Sequence, residues 1–86
     1  MLDIVSVKII LYTGPQCSLC DLAIDIVEQY NELNASEPLV LSKVNIRDSA
    51  DLYHLYGARI PVLKNTENAS ELGWPFTIDD LVEFLK

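Results

Sequence analysis

The sequence predicts an α/β fold with the element order β-α-β-α-β-β-α, built as a four-stranded mixed sheet with helices on both faces. Three observations predict it. Ile4 to Tyr12 is a β-branched, apolar run that breaks at Thr13-Gly14-Pro15-Gln16. Leu19, Leu22, Ala23, Ile26, Val27, Tyr30 and Leu33 then recur at helical spacing. Leu39 to Ile46 returns to a strand-like run, and strand–helix–strand order implies parallel pairing through a right-handed crossover.

The first strand covers about residues 4–12 and the first helix about 17–33. Asp21, Asp25, Glu28, Gln29 and Glu32 form the wet face of that helix, with Ile24 as the exception. Asn34-Ala35-Ser36-Glu37-Pro38 ends it. After the second strand, Asp48 is placed to cap a short helix, with Asp51 in its first turn. Leu52, Leu55 and Tyr56 make the apolar face of this helix, and Gly57 is placed to end it as the C′ residue. Ile60-Pro61-Val62-Leu63 is a short apolar segment, Asn65 to Asn68 a turn, and Ala69 to Leu72 the return strand of a hairpin. Gly73-Trp74-Pro75-Phe76 reads as a loop. Thr77 and Asp80 have capping-box spacing ahead of Ile78, Leu81, Val82 and Leu85.

The 86 residues predict one domain, residues 1–86, and half of them are hydrophobic, enough for a modest core. Six basic residues against thirteen acidic ones give a net charge of −7. Nucleic acid and anionic membranes need basic patches, so neither is an expected partner. Asp3 stands where a signal peptide would carry positive charge, and no apolar run reaches membrane-spanning length. The expectation is a cytoplasmic monomer.

The chemistry sits in Cys17-Ser18-Leu19-Cys20, the only two cysteines, where the first strand turns into the first helix. The thiolate is the attacking species in thiol–disulfide exchange, and a helix N-terminus favours it. Cys20 lies one turn further in. Residues i and i+3 share a helix face, at a Cα separation inside the roughly 4.4–6.8 Å that a disulfide tolerates. Cys17 is therefore placed to attack and Cys20 to displace the mixed disulfide. Asp21 and Asp25 oppose strong activation, because both compete for the same positive helix end. Other readings of the pair stay open at this point. They are inert core cysteines, half of a zinc site or a structural disulfide. A zinc site would draw on His54 or carboxylates, or on a second subunit. A bridge closing so short a loop constrains the unfolded chain little. His54 reads as an exposed helix residue rather than a base, because Leu52, Leu55 and Tyr56 claim the buried face.

Together with this C-x-x-C, Tyr56-Gly57-Ala58-Arg59-Ile60-Pro61-Val62-Leu63 resembles the glutaredoxin segment that carries the cis-proline of the thioredoxin-fold superfamily. With Gly73-Trp74-Pro75-Phe76 added, the chain is similar to a small bacterial glutaredoxin-like family over about residues 5–86. The resemblance implies a thioredoxin-like fold and a cis bond before Pro61. It also implies a substrate groove formed by Ile60 and Pro61 opposite the cysteines, with Arg59 and Trp74 beside it. There an extended substrate would pair with the Ile60 backbone as an added strand.

The sequence also departs from glutaredoxins. Ser18 and Leu19 replace the usual Pro-Tyr between the cysteines, and Ile60 replaces the threonine before the proline. The Gly-Gly stretch that holds the γ-glutamyl group of glutathione becomes Gly73-Trp74-Pro75-Phe76, with a ring nitrogen that cannot donate. Arg59 is the best remaining cation for a carboxylate. Packing over the sheet edge or the last helix is the expected role of Trp74. The expected activity is a dithiol–disulfide oxidoreductase acting on a protein or small-molecule disulfide. It requires no metal or organic cofactor, and glutathione is expected to be a poor donor. The alternative is a thioredoxin-fold protein-binding module with slow redox chemistry.

Overall fold

β1 (Val7–Thr13) is a central strand because both of its faces are apolar. A computed structural model describes residues 7–85, so the first strand residues expected at 4–6 lie outside the described residues. Ile9 and Leu11 point into the larger core cluster, with Ala23, Val27, Leu39, Leu63, Phe76 and Leu81. Ile10 and Tyr12 point the other way, into a smaller cluster with Ile46, Tyr56 and Val62. Period-two alternation thus feeds two cores from one strand.

The sheet order is β2-β1-β3-β4. β2 (Leu39–Asn45) runs parallel to β1, with Val7 opposite Leu39 and Leu11 opposite Lys43. β3 (Val62–Asn65) and β4 (Glu71–Gly73) are antiparallel to their neighbours, with Leu11 opposite Leu63 and Leu63 opposite Leu72. This is the expected four-stranded mixed sheet. The return strand starts two residues later than expected, because Ala69 turns the chain at a φ of 61° and Ser70 still belongs to the turn.

α1 (Ser18–Leu33) and α3 (Ile78–Phe84) cover the larger core, and α2 (Ala50–Tyr56) covers the smaller one. The inward stripe of α1 differs from the expected one. Cys20, Ala23 and Val27 are buried, and Ile24, Ile26 and Tyr30 pack against the core. Leu19, Leu22 and Leu33 are exposed, Leu33 by 75%. Ile24, read as an exception on the wet face, belongs to the packed face. The i, i+3, i+4, i+7 series starting at Cys20 is the one the sheet receives.

Side chains fix the ends of the elements. Asn31 reaches across from α1 to Leu39, accepting its N–H at 2.7 Å and donating to its carbonyl at 3.1 Å. One amide thus reproduces a strand pairing and anchors the start of β2. β2 ends at Asn45, whose side chain accepts from Arg47 N–H and turns the chain into a 3-10 turn, Ile46–Asp48. The cap of α2 is Ser49 rather than Asp48, with Ser49 Oγ accepting from Leu52 N–H. Leu55, expected on the buried face of α2, is 58% exposed; the inward residues are Leu52 and Tyr56. His54 is exposed, as expected. Gly57 ends α2 with a right-handed φ of −51°, not in a left-handed C′ conformation. A Cβ there would lie 2.6 Å from the Tyr53 carbonyl oxygen, so close approach is what glycine permits. The capping box of α3 forms as expected: Thr77 N–H donates to Asp80 and Asp80 N–H donates to Thr77 Oγ1.

No helix among the described residues is long and apolar enough to cross a membrane.

Candidate active site

The carboxyl end of β1 delivers the chain into Gly14-Pro15-Gln16, and Gln16 takes a φ of 52°. This left-handed step swings Cys17 onto the N-cap of α1, in extended conformation. Its Sγ accepts the N–H of Cys20 at 3.1 Å. The sulfur thus does the work usually given to a serine or aspartate oxygen, satisfying one of the orphan donors of the helix start. Cys17 and Cys20 are joined in a disulfide, with Cα atoms 5.2 Å apart. Cys20 is 2% exposed, whereas Cys17 is half-buried. Cys17 is thus the more accessible sulfur of the pair.

A cleft of about 470 Å³ opens beside the disulfide. Its walls are Thr13, Gly14 and Gln16 from the loop, Ser18, Asp21 and Ile24 from α1, and Lys43 from β2. Lys43 was not among the residues read from the sequence. Parallel pairing of β1 with β2 brings both carboxyl ends to the same edge of the sheet, and ligands of open α/β sheets bind at that edge. The signal was therefore the position of Lys43 near the end of β2, not its residue type.

The remaining candidates lie elsewhere. The Ile60–Pro61 bond is cis, and the Pro61 ring is buried. The Ile60 side chain abuts the loop, close enough that a Cβ on Gly14 would lie 2.9 Å from its Cδ1. Ile60 N–H is already bonded to Tyr56 O, so its carbonyl is what it could offer an added strand. Arg59 and Trp74 do not line the cleft. Arg59 pairs with Glu71 at 3.3 Å and lies over the Tyr56 ring, 5.5 Å from its centroid. Trp74 packs on the larger core and meets Phe76 edge-on at 5.1 Å. Its backbone N–H donates to the Pro61 carbonyl. The Trp74–Pro75 bond is a second cis peptide.

Arg59 is one part of a cluster that sequence reasoning missed. Tyr12 stacks on Tyr56 at 4.2 Å, and the Tyr56 hydroxyl donates to Glu71. That hydrogen bond, with burial, raises the Tyr56 pKa well above the usual phenol range. The same bond, with Arg59, holds the Glu71 carboxyl below its ordinary value. The cluster ties the end of α2 to β4 across the Gly57–Pro61 segment. Among the described residues no group of three His, Cys, Asp or Glu side chains is arranged to hold a metal.

The model of the family described as Glutaredoxin-like domain (DUF836) matches residues 8–86. The chain belongs to that family. This glutaredoxin-like protein is 34% identical to a solved X. campestris protein, Northeast Structural Genomics target XcR50; the match covers 90% of this chain and 93% of that one, with a TM-score of 0.76. A solved malarial protein is 14% identical, with a TM-score of 0.61 and 93% of each chain covered, and speaks to the fold alone. No curated protein matches the chain. Family and neighbours agree with the thioredoxin-like architecture, and family and cysteine pair together suggest a thioredoxin-like redox role.

Proposed function

We propose that this glutaredoxin-like protein is a dithiol–disulfide oxidoreductase in which Cys17 attacks and Cys20 resolves. The observation that carries the reading is the Cys17 sulfur seated as the N-cap of α1, accepting Cys20 N–H, with Cys20 shielded behind it. A thiolate formed at Cys17 keeps that donor and the positive end of a sixteen-residue helix. In the reducing direction Cys17 thiolate attacks a substrate disulfide and releases one thiolate. Cys20 thiolate then attacks Cys17 Sγ and releases the second. The protein ends as the Cys17–Cys20 disulfide, and the substrate ends as two thiols.

Ile60 lies against Gly14 of the attacking loop and packs on the smaller core, and in this reading an extended protein substrate would pass there, along Ile60 and Pro61. Glutathione is a poor donor in this reading. The loop's Trp74 N–H is spent on Pro61, and Pro75 has none to give. Asp21, on the wall of the cleft, favours the second reading, a binding module with slow redox chemistry.

The test uses reduced protein and an aromatic mixed disulfide. Wild type should pass through a transient adduct to the internal disulfide, Cys20→Ser should stop at a stable Cys17 adduct, and Cys17→Ser should not react on that timescale. Equal, slow reaction of all three would favour the binding module.

A further inference from the structure

Lys43 and Asp21 face one cleft with opposite charges, and among the described residues neither has an ion-pair partner. Both are exposed, and they line the cleft together with Cys17 and Cys20. A lysine and an aspartate that share a cleft without pairing present a site for an anion and a site for a cation in the same cleft as the disulfide. The volume, about 470 Å³, suits a small molecule rather than a folded chain. Arg59 cannot duplicate the cation, since Glu71 holds it on the other side of the sheet end.

We propose that this cleft is a subsite for the α-amino-acid head of a small thiol, its carboxylate received by Lys43 and its ammonium by Asp21. The inference rests on the dithiol reading above and names a substrate class for the same cysteines. The substrate is a symmetrical disulfide whose two halves each carry the amino-acid head next to the sulfur-bearing carbon. Cys17 thiolate takes one half as a mixed disulfide and expels the other as a thiolate. Cys20 then expels the first half and closes the internal disulfide, so one substrate disulfide is reduced for one protein dithiol oxidised. The opposite wall charges select against heads carrying only one charge. This places small-substrate entry on the α1–β2 side, in a cleft that Ile60, Pro61 and Trp74 do not line.

The experiment is a single turnover of pre-reduced protein with three disulfides: cystine, N,N′-diacetylcystine and cystine dimethyl ester. They carry both charges, the carboxylate only and the ammonium only. Each variant is compared with wild type on the same disulfide, which cancels differences in leaving-group reactivity. Lys43→Gln should lose about three- to tenfold on cystine and diacetylcystine and spare the ester, the scale of one partly exposed charged hydrogen bond. Asp21→Asn also relieves repulsion of the Cys17 thiolate on all three disulfides, so it is read as a ratio: cystine and the ester should fall about three- to tenfold relative to diacetylcystine. Lys8→Gln removes the same unit of charge from an exposed β1 position opposite Val40, remote from the cleft, and should change no ratio. If Lys43→Gln and Asp21→Asn scale all three rates alike, they act on the thiolate and the subsite is wrong. If neither variant changes any rate, the subsite is also wrong, while the dithiol reading stands on the wild-type reaction. If reduced wild type oxidises with the aromatic disulfide but with none of these three, the subsite is wrong and the dithiol reading stands; if it oxidises with none of the four, both readings fall.

Discussion

Replacing Tyr56 by Phe removes one oxygen from a well-defined place. The ring of Tyr56 is 5% exposed and stacked on Tyr12, so phenylalanine keeps the packing. What is lost is the hydroxyl donated to Glu71. A hydrogen bond to a charged group contributes about 1.5–3 kcal/mol. The lower part of that range applies, because the Glu71 side chain is 28% exposed and keeps Arg59 as a partner. The expected cost is about 1–2 kcal/mol, or roughly 5–15 °C in Tm for a domain of this size. The pH dependence is a sharper test. The Glu71 pKa is lowered in the folded state, so its share of stability is present above its ordinary value of about 4.5 and is lost as pH falls through the folded value. The Tyr56 pKa is raised from about 10, so its share is present below that value and is lost as pH rises beyond it. Urea denaturation of wild type and variant from pH 3 to 11 should therefore give a stability difference that is flat from about pH 5.5 to 9 and shrinks at both ends. A difference independent of pH, or below about 0.3 kcal/mol at pH 7, would refute the coupling of Tyr56 to Glu71.

Other outcomes follow from the same geometry. Brief iodoacetamide treatment of reduced protein near neutral pH should label Cys17 well before Cys20, because Cys20 is 2% exposed; peptide mapping reads the order. Thr77→Ala should cost about 1 kcal/mol in chemical denaturation, by removing the reciprocal bonds to Asp80 at the start of α3. Glutathione should support turnover far below that of an ordinary glutaredoxin, and raising salt should narrow the gap, since a net charge of −7 repels an anionic thiol.

The order of elements was legible because hydrophobic period changes from one element to the next, although the exact ends of the return strand and of α2 were not. The capping box at Thr77 and Asp80 was legible because both of its bonds are local. The facing stripe of α1 was not. Leu19 and Leu22 look as apolar as Ala23 and Val27, and only the position of the sheet decides that the first pair stays wet. The cap of α2 went to Ser49 because Asn45 had already turned the chain into a 3-10 turn, a step that leaves Asp48 inside that turn. The cysteine pair announced the candidate site by its spacing and its place at the strand-to-helix turn, both of them local features. Lys43 did not announce itself, since its relevance comes from the parallel pairing that sets it opposite Leu11 on the neighbouring strand, near the carboxyl end of β2. The Tyr56, Glu71 and Arg59 cluster was illegible for a similar reason: fifteen residues separate the hydroxyl from its carboxylate, and no local pattern links them.

The Cys17 sulfur that caps α1 makes one backbone proton an observer of the chemistry. Cys20 N–H points at that sulfur, which carries a full negative charge as thiolate and almost none in a disulfide. Each change of oxidation state therefore alters the acceptor strength felt by a single amide. Its NMR shift and its exchange with solvent become a label-free readout of which form the protein holds. The same coupling runs backwards. Whatever frays the first turn of α1 weakens the thiolate's hold on its proton donor, so local helix stability and the affinity for electrons rise and fall together.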